Sequence, residues 1–240
     1  MWMICKKEWN LFFSNLTGYI SLIIFFLLSG LFFFVFPSTS LFGFGYATLD
    51  SFFSTIPWIL LFFIPTITMR SLADEYKAGT YELLKTWPLT NAQIVLGKFF
   101  GACLIIVTAI IPTIIYAISL QTLSNVGGID VGSTIGSYIG LLLLCAVFAA
   151  IGICSSSFTN NTVVAFIAGA FVCFIFYEGF DALSKLPVFK GGADYYVEMI
   201  GINFHFKSIS RGVIDSRDIV YFIVVITLFL LVTQKNLLKR

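Results

Sequence analysis

The chain has 240 residues, 59% hydrophobic and 11% charged, with a mean hydropathy of +0.98. Soluble domains carry about one quarter charged residues, so this composition argues against a soluble enzyme and for a protein embedded in a membrane. Fourteen Lys and Arg against twelve Asp and Glu leave a formal charge of +2, too small and too dispersed for a nucleic-acid partner.

At the N-terminus, residues 1–16 read as an interfacial helix. Trp2, Cys5, Trp9, Phe12 and Leu16 share one face, and Lys6, Lys7, Asn10 and Ser14 the other. Trp2 and Trp9 are the expected anchors at headgroup depth, with the lysines turned toward anionic lipid. The following apolar run is too long for the core of a signal peptide and no small-x-small site closes it, so a retained first span is expected.

Six apolar stretches predict membrane spans at about 16–36, 53–69, 97–120, 134–153, 162–180 and 216–233. A helix needs about 20 residues to cross about 30 Å of hydrocarbon. The last two runs borrow flanking residues, Glu178–Phe180 and Ser216–Arg217, at a length where a re-entrant or interfacial helix competes. Between Phe99 and Tyr177 the sole formal charge is Asp130. An even number of spans puts both termini on one face. With the N-terminus inside, that face receives Lys6, Lys7, Arg70, Lys77, Lys85, Lys98, Lys235, Lys239 and Arg240. The other receives Lys185, Lys190, Lys207, Arg211 and Arg217, all from one loop. The excess on the first face predicts cytoplasmic termini.

The hydrophilic link at 70–96 is the most closely specified segment outside the spans. Leu72, Tyr76, Leu83 and Trp87 follow a helical stripe, with Asp74, Glu75, Glu82 and Lys85 elsewhere on the wheel. Gly79 breaks the stripe and Thr80 is placed to cap the next turn. Trp87-Pro88 ends that turn, and Thr90-x-x-Gln93 is a capping box that starts the third span at about Asn91, with Leu89 and Ile94 as its staple. An amphipathic connector resting on lipid is the plainer alternative to a rigid handle for a cytoplasmic partner.

Further on, Gly128, Gly132, Gly136 and Gly140 step by four into the fourth span. The last three are candidate helix-packing positions, since small residues at that spacing let backbones approach. In the outer loop at 181–215, Met199, Ile202, Phe206 and Ile209 recur at helical spacing and Gly212 is a stop, predicting an amphipathic helix on the outer surface before the sixth span.

Catalytic chemistry is not expected. The one histidine, His205, has no partner pattern, and there is neither a nucleophile elbow nor a zinc motif. Gly97-Lys98 matches only the tail of a phosphate-binding loop: Ala92 stands where its first glycine belongs, and Phe99 where the hydroxyl that meets Mg²⁺ belongs. Glu178 and Asp181, at the outer end of the fifth span, read as solvated carboxylates in preference to a coupling-ion site. The five cysteines lie mostly in apolar runs and read as small buried residues. No metal, cofactor or catalytic residue is predicted.

The run Arg70-x-x-Ala73-x-Glu75-x-x-x-Gly79-Thr80-x-Glu82-x-Leu84, followed by Pro88 and Gly97-Lys98, resembles the signature of ABC-2-type transporter permeases. More narrowly, the chain is similar to the gliding-motility branch (GldF-like). The N-terminal Lys-Glu-Trp helix, the six spans and the stretch from Asn203 to Asp215 extend that likeness over nearly the whole chain. The outer loop is longer and more charged than in the smallest permeases of the group.

The resemblance implies an all-α polytopic permease, one domain over 1–240, that dimerises with a like or unlike subunit in the bacterial inner membrane and docks a separate ABC ATPase. ATP would be bound by that subunit. Carried over by motif, Arg70, Glu75, Gly79, Thr80, Glu82, Leu83 and Pro88 would form the ATPase-coupling segment, with Ser155–Asn161 a smaller second contact. An accessory envelope protein is a further implied partner. The rival reading is a stand-alone membrane carrier, or a structural anchor of an envelope machine, with no ATPase.

Overall fold

The computed structural model describes residues 1–36, 48–82, 89–124, 128–187, 192–213 and 215–239. Every regular element among them is helical. Helix α1 (Trp2–Ser14) turns at Asn15 into α2 (Leu16–Gly30), which a π-helical turn prolongs to Val35. Gly18 permits that corner, because a Cβ there would collide with the Phe12 carbonyl oxygen. Next come α3 (Asp50–Thr68) and α4 (Arg70–Lys77), then α5 (Asn91–Ile110), a 3₁₀ turn at Pro112, and α6 (Ile114–Leu123). The longest helix is α7 (Val131–Phe158), followed by α8 (Thr162–Phe174), α9 (Phe180–Ser184), α10 (Ala193–Ile200), α11 (Ile202–Ser210) and α12 (Ser216–Lys239).

Several helix starts follow from side-chain chemistry. Thr90 accepts from the Gln93 amide while the Gln93 side chain accepts from the Thr90 N–H, closing the predicted capping box. Asp130 accepts from Gly132 and Ser133 N–H at the start of α7, and Asn161 from Val163 N–H at the start of α8.

Among the described residues, six helical stretches are long and apolar enough to cross a membrane: Leu16–Val35, Asp50–Lys77, Asn91–Leu123, Val131–Phe158, Thr162–Ser184 and Ser216–Lys239. They run alternately up and down. Phe33 stacks near Phe52, Tyr138 donates to the Thr113 carbonyl, and Tyr221 bonds the Ile200 carbonyl at one end of the bundle. At the other end Lys98 meets Ser71, and Asn236 meets Ser157. Helix α7 is the axis, buried almost throughout between α3, α5, α8, α11 and α12. By contrast α2 and α12 present mostly exposed apolar side chains, the surface expected of helices that face lipid.

The outer segment departs from expectation. One amphipathic helix on the surface becomes two, broken at Gly201 in extended conformation. A Cβ there would stand 3.1 Å from the Glu198 carbonyl oxygen and 3.2 Å from Phe180 Cβ. Ile202, Phe206 and Ile209 are buried, whereas Met199 is exposed, so α11 is packed into the bundle. Gly212, at φ +87°, makes the left-handed turn that ends it.

His205 is buried with it. Its Nε2 meets the Met199 carbonyl at 2.9 Å, which can only accept, so Nε2 carries a proton. Nδ1 lies 2.6 Å from Asp218 Oδ1 and the ring stacks on Tyr221. The lone histidine of the sequence is thus half of a buried pair that ties α11 to α12. Asp181 is also buried, contrary to the reading of a solvated carboxylate, and is bonded to Lys185 at 2.6 Å.

Candidate functional site

The helix that leaves the second span is pinned from within. Ser156, fully buried on α7, accepts from the N–H groups of Leu72 (3.1 Å) and Ala73 (3.0 Å) and donates to the Met69 carbonyl (2.9 Å). Three polar backbone groups at the junction of α3 and α4 are thereby satisfied by one hydroxyl. Gly152, one turn earlier, lets Thr68 approach so closely that any Cβ there would overlap the threonine hydroxyl.

Beside this clamp lies a buried ion network. Lys98, 1% exposed, donates to Glu8 Oε1 (2.8 Å) and to the Ser71 carbonyl (2.6 Å), and is 3.0 Å from Glu75 Oε1. Lys7 reaches the same Glu75 oxygen at 2.9 Å. Two ammonium groups and two carboxylates cancel, which makes the burial tolerable. The network joins α1, α4 and α5, and close helix contact makes it possible. A Cβ at Gly97 or Gly101 would come within 2.8 Å of Ile4 or Glu8 side-chain carbon on α1. Lys7, its side chain 45% exposed, bends to Glu75 at the rim of the network instead of taking the lipid-facing position that the helical wheel assigned to it.

Outward, the same segment is open. Asp74, Lys77, Ala78, Gly79, Thr80 and Glu82 are exposed, while Leu72, Ala73 and Glu75 are buried. Gly79 adopts φ +68°, ending α4 in the left-handed region that favours glycine. Thr80 Oγ1 donates back to the Glu75 carbonyl at 3.4 Å. Tyr81 is buried, stacks edge-on with Tyr76 and donates to the Leu237 carbonyl, tying the segment to the end of α12.

The predicted site residues are thus sorted. Gly79, Thr80 and Glu82 form an exposed tip. Arg70 is exposed at the root of the helix, with Nη1 3.0 Å from Thr17 Oγ1. Glu75 is buried, its Oε1 paired with Lys98 and Lys7 and its Oε2 without a hydrogen-bond partner among the described residues. Leu83 and Pro88 lie outside the described residues. Ser155, Ser156 and Ser157 are buried within α7, so that only Phe158–Asn161 of the expected second contact faces outward.

Gly136 and Gly140 lie against α11, where a Cβ would stand 3.1 Å from the Ile209 carbonyl oxygen and from Ile209 Cγ2 respectively. At Gly132 it would meet only its neighbour Asp130. Trp2 is exposed and Trp9 half-buried beside Phe13. All five cysteines are free, and burial pushes the Cys5 thiol above its usual range. No group of three or more His, Cys, Asp or Glu that would hold a metal occurs among the described residues.

Lys98 and Ser156 fall within the Gly97-Lys98 motif and the Ser155–Asn161 contact, but the tie of Lys98 to Glu8 and the clamp made by Ser156 escaped the sequence reading. Gly97 and Gly101 carry the four-residue spacing that marks close packing, and a lysine inside an apolar run needs a partner. Ser156 had no local signal.

Six alternating apolar helices, an amphipathic helix clamped at one end and an interfacial helix bonded beneath it define a polytopic helical membrane protein. The sequence model of the ABC-2 family transporter proteins matches residues 2–186, and the chain belongs to that family. It is a membrane-embedded permease component of an ABC transporter, and in this family ATPase activity lies in a separate subunit. No curated protein matches the chain.

Proposed function

We propose that the segment from Arg70 to the start of α5 is the coupling element through which a separate ABC ATPase works this permease. The two-sidedness of α4 carries the reading. Its inner face is bonded to Ser156, Lys98 and Lys7, and its outer face, with the tip Gly79–Glu82, is exposed at the end of the bundle. A helix held at two backbone N–H groups and a buried carboxylate moves as one body with its neighbours. A push on the tip is passed to α7 through Ser156, and to α5 and α1 through Lys98, in the manner of rigid-body switching between packed arrangements.

In this reading the coupling end faces the cytoplasm, as the excess of Lys and Arg there supports, and both termini lie with it in a bacterial inner membrane. The exposed Asp74, Thr80 and Glu82, with Leu83 and Pro88 beyond, form the contact with the ATPase, and Phe158–Asn161 a second one. The functional unit is a dimer of permease subunits. The motif around Gly79-Thr80 and the segment from Asn203 to Asp215 support the gliding-motility branch, with an accessory envelope protein as partner.

Co-purification in mild detergent tests the proposal. Glu82→Lys and Gly79→Leu are expected to detach or uncouple the ATPase while the chain still inserts; retention of a fully coupled ATPase by both overturns it. Sidedness is tested separately with Lys77→Cys and Lys207→Cys. An impermeant reagent outside intact cells should label position 207 and spare 77, and the reverse pattern inverts the orientation.

A further inference from the structure

A cavity of about 390 Å³ opens between α1, the start of α2, the junction of α3 and α4, and α5. Part of its wall is apolar, from Leu11, Phe12 and Ile67, and part is polar, from Lys7, Thr17 and Arg70. Thr17 is the second residue of the first span, and Arg70 directly follows the apolar run of the second. The guanidinium thus lies where a span meets the headgroup layer. There it is fixed by one bond, Nη1 to Thr17 Oγ1, and no carboxylate comes within 4 Å of it among the described residues.

An arginine fork has five N–H donors, and most of this one is unspent. The other charges on the cavity do not satisfy it. Lys7, Lys98, Glu8 and Glu75 form the neutral network described above, and Asp74 is exposed and makes no ion pair with Arg70. Helix α2, whose Thr17, Gly18 and Ser21 line the cavity, exposes Leu16, Ile20, Ile23 and Ile24 elsewhere on its surface, so a helix that walls the cavity also meets acyl chains.

We propose that this cavity binds the headgroup phosphate of an anionic phospholipid, with Arg70 as the recognising residue and Thr17 positioning its guanidinium. A planar fork matches two phosphate oxygens at once. The apolar wall from Phe12 and Ile67 accepts the glycerol and first methylenes. That wall argues for a lipid over free phosphate, which would gain nothing from it. Arg70 is also the first residue of the proposed coupling segment, and Asp74 and Thr80 line the same cavity, but lipid retention is read on the chain alone, so failure of this proposal and failure of the ATPase reading are distinguishable.

The test is native mass spectrometry of the full chain in mild detergent, delipidated and then supplied with phosphatidylglycerol, phosphatidylcholine or inorganic phosphate. Phosphatidylglycerol is expected to remain bound in preference to phosphatidylcholine, and Arg70→Gln to weaken its retention by about tenfold, the scale of one charge-assisted contact. Arg211→Gln, at the opposite end, is the control and should leave retention unchanged. If Arg70→Gln does not yield monodisperse protein, Thr17→Val is read in its place and should weaken retention by about threefold. Equal retention of the two lipids, displacement of lipid by inorganic phosphate, or unchanged retention in both variants overturns the proposal.

Discussion

Removing Lys98 alone puts the buried network under the sharpest strain. In Lys98→Met, Glu8 Oε1 loses its 2.8 Å ammonium partner, and Glu75, 8% exposed, keeps only Lys7. Breaking a buried ion pair from one side costs about 3–5 kcal/mol, because the remaining charge stays desolvated. Here Lys7 still faces Glu75, and the Glu8 side chain is 17% exposed, so the lower end, about 3 kcal/mol, is expected. For a chain of this size each kcal/mol moves the unfolding midpoint by roughly 2–4 °C, giving a fall of about 6–12 °C in detergent, read by tryptophan fluorescence. The triple variant Lys98→Met, Glu8→Gln, Glu75→Gln leaves no charge buried and should recover most of that loss. If the single variant melts like the wild type, or the triple is no more stable than the single, the network does not hold α1, α4 and α5 together.

Further substitutions probe the rest of the frame. Gly140→Leu forces a side chain against Ile209, 3.1 Å from the Cβ position, and should cost about 1–3 kcal/mol by overpacking. Gly132→Ala meets only Asp130 and should be neutral or stabilising by up to about 1 kcal/mol through helix propensity; equal midpoints for the two would refute the close approach of α11. His205→Ala strips Asp218 Oδ1 of its partner while Oδ2 has none already, costing about 3 kcal/mol or more. Adding Asp218→Asn should return part of that, and a double variant no better than His205→Ala contradicts the pairing.

What was legible in the sequence is what chain neighbours decide. The six apolar runs rest on local composition, and the Thr90–Gln93 box and the stops at Gly79 and Gly212 on residues within one helical turn of one another; the structure has six long apolar helices, the box and both stops. The split of the outer helix at Gly201 was readable in principle, since a glycine interrupts the stripe, but the stripe from Met199 to Ile209 spans it without a phase change. Met199 matched the period and still fell on the exposed side. Periodicity reports a face, not whether the backbone continues through it.

The candidate site was legible on its outside only. Gly79, Thr80 and Glu82 are exposed, but the motif that named them also named Glu75, whose place is inside. A helical wheel of α4 does not make that distinction, because it sets Glu75 at the border of the Leu72–Tyr76 stripe and says nothing of what lies against it. The missing information is long-range: Glu75 is buried because Lys98 is there to meet it, and Lys98 is there because Gly97 and Gly101 admit α1. One inference was nevertheless available without coordinates. A lysine that begins an apolar run of the length of α5 cannot stay unpaired at low cost, and any carboxylate that pairs with it must come from a segment reaching the same end of the bundle. Alternating spans leave few such segments, and the two nearest carry Glu8 and Glu75. Counting the charges that an apolar bundle must neutralise therefore points to a tie between α1 and α4 that no local motif expresses.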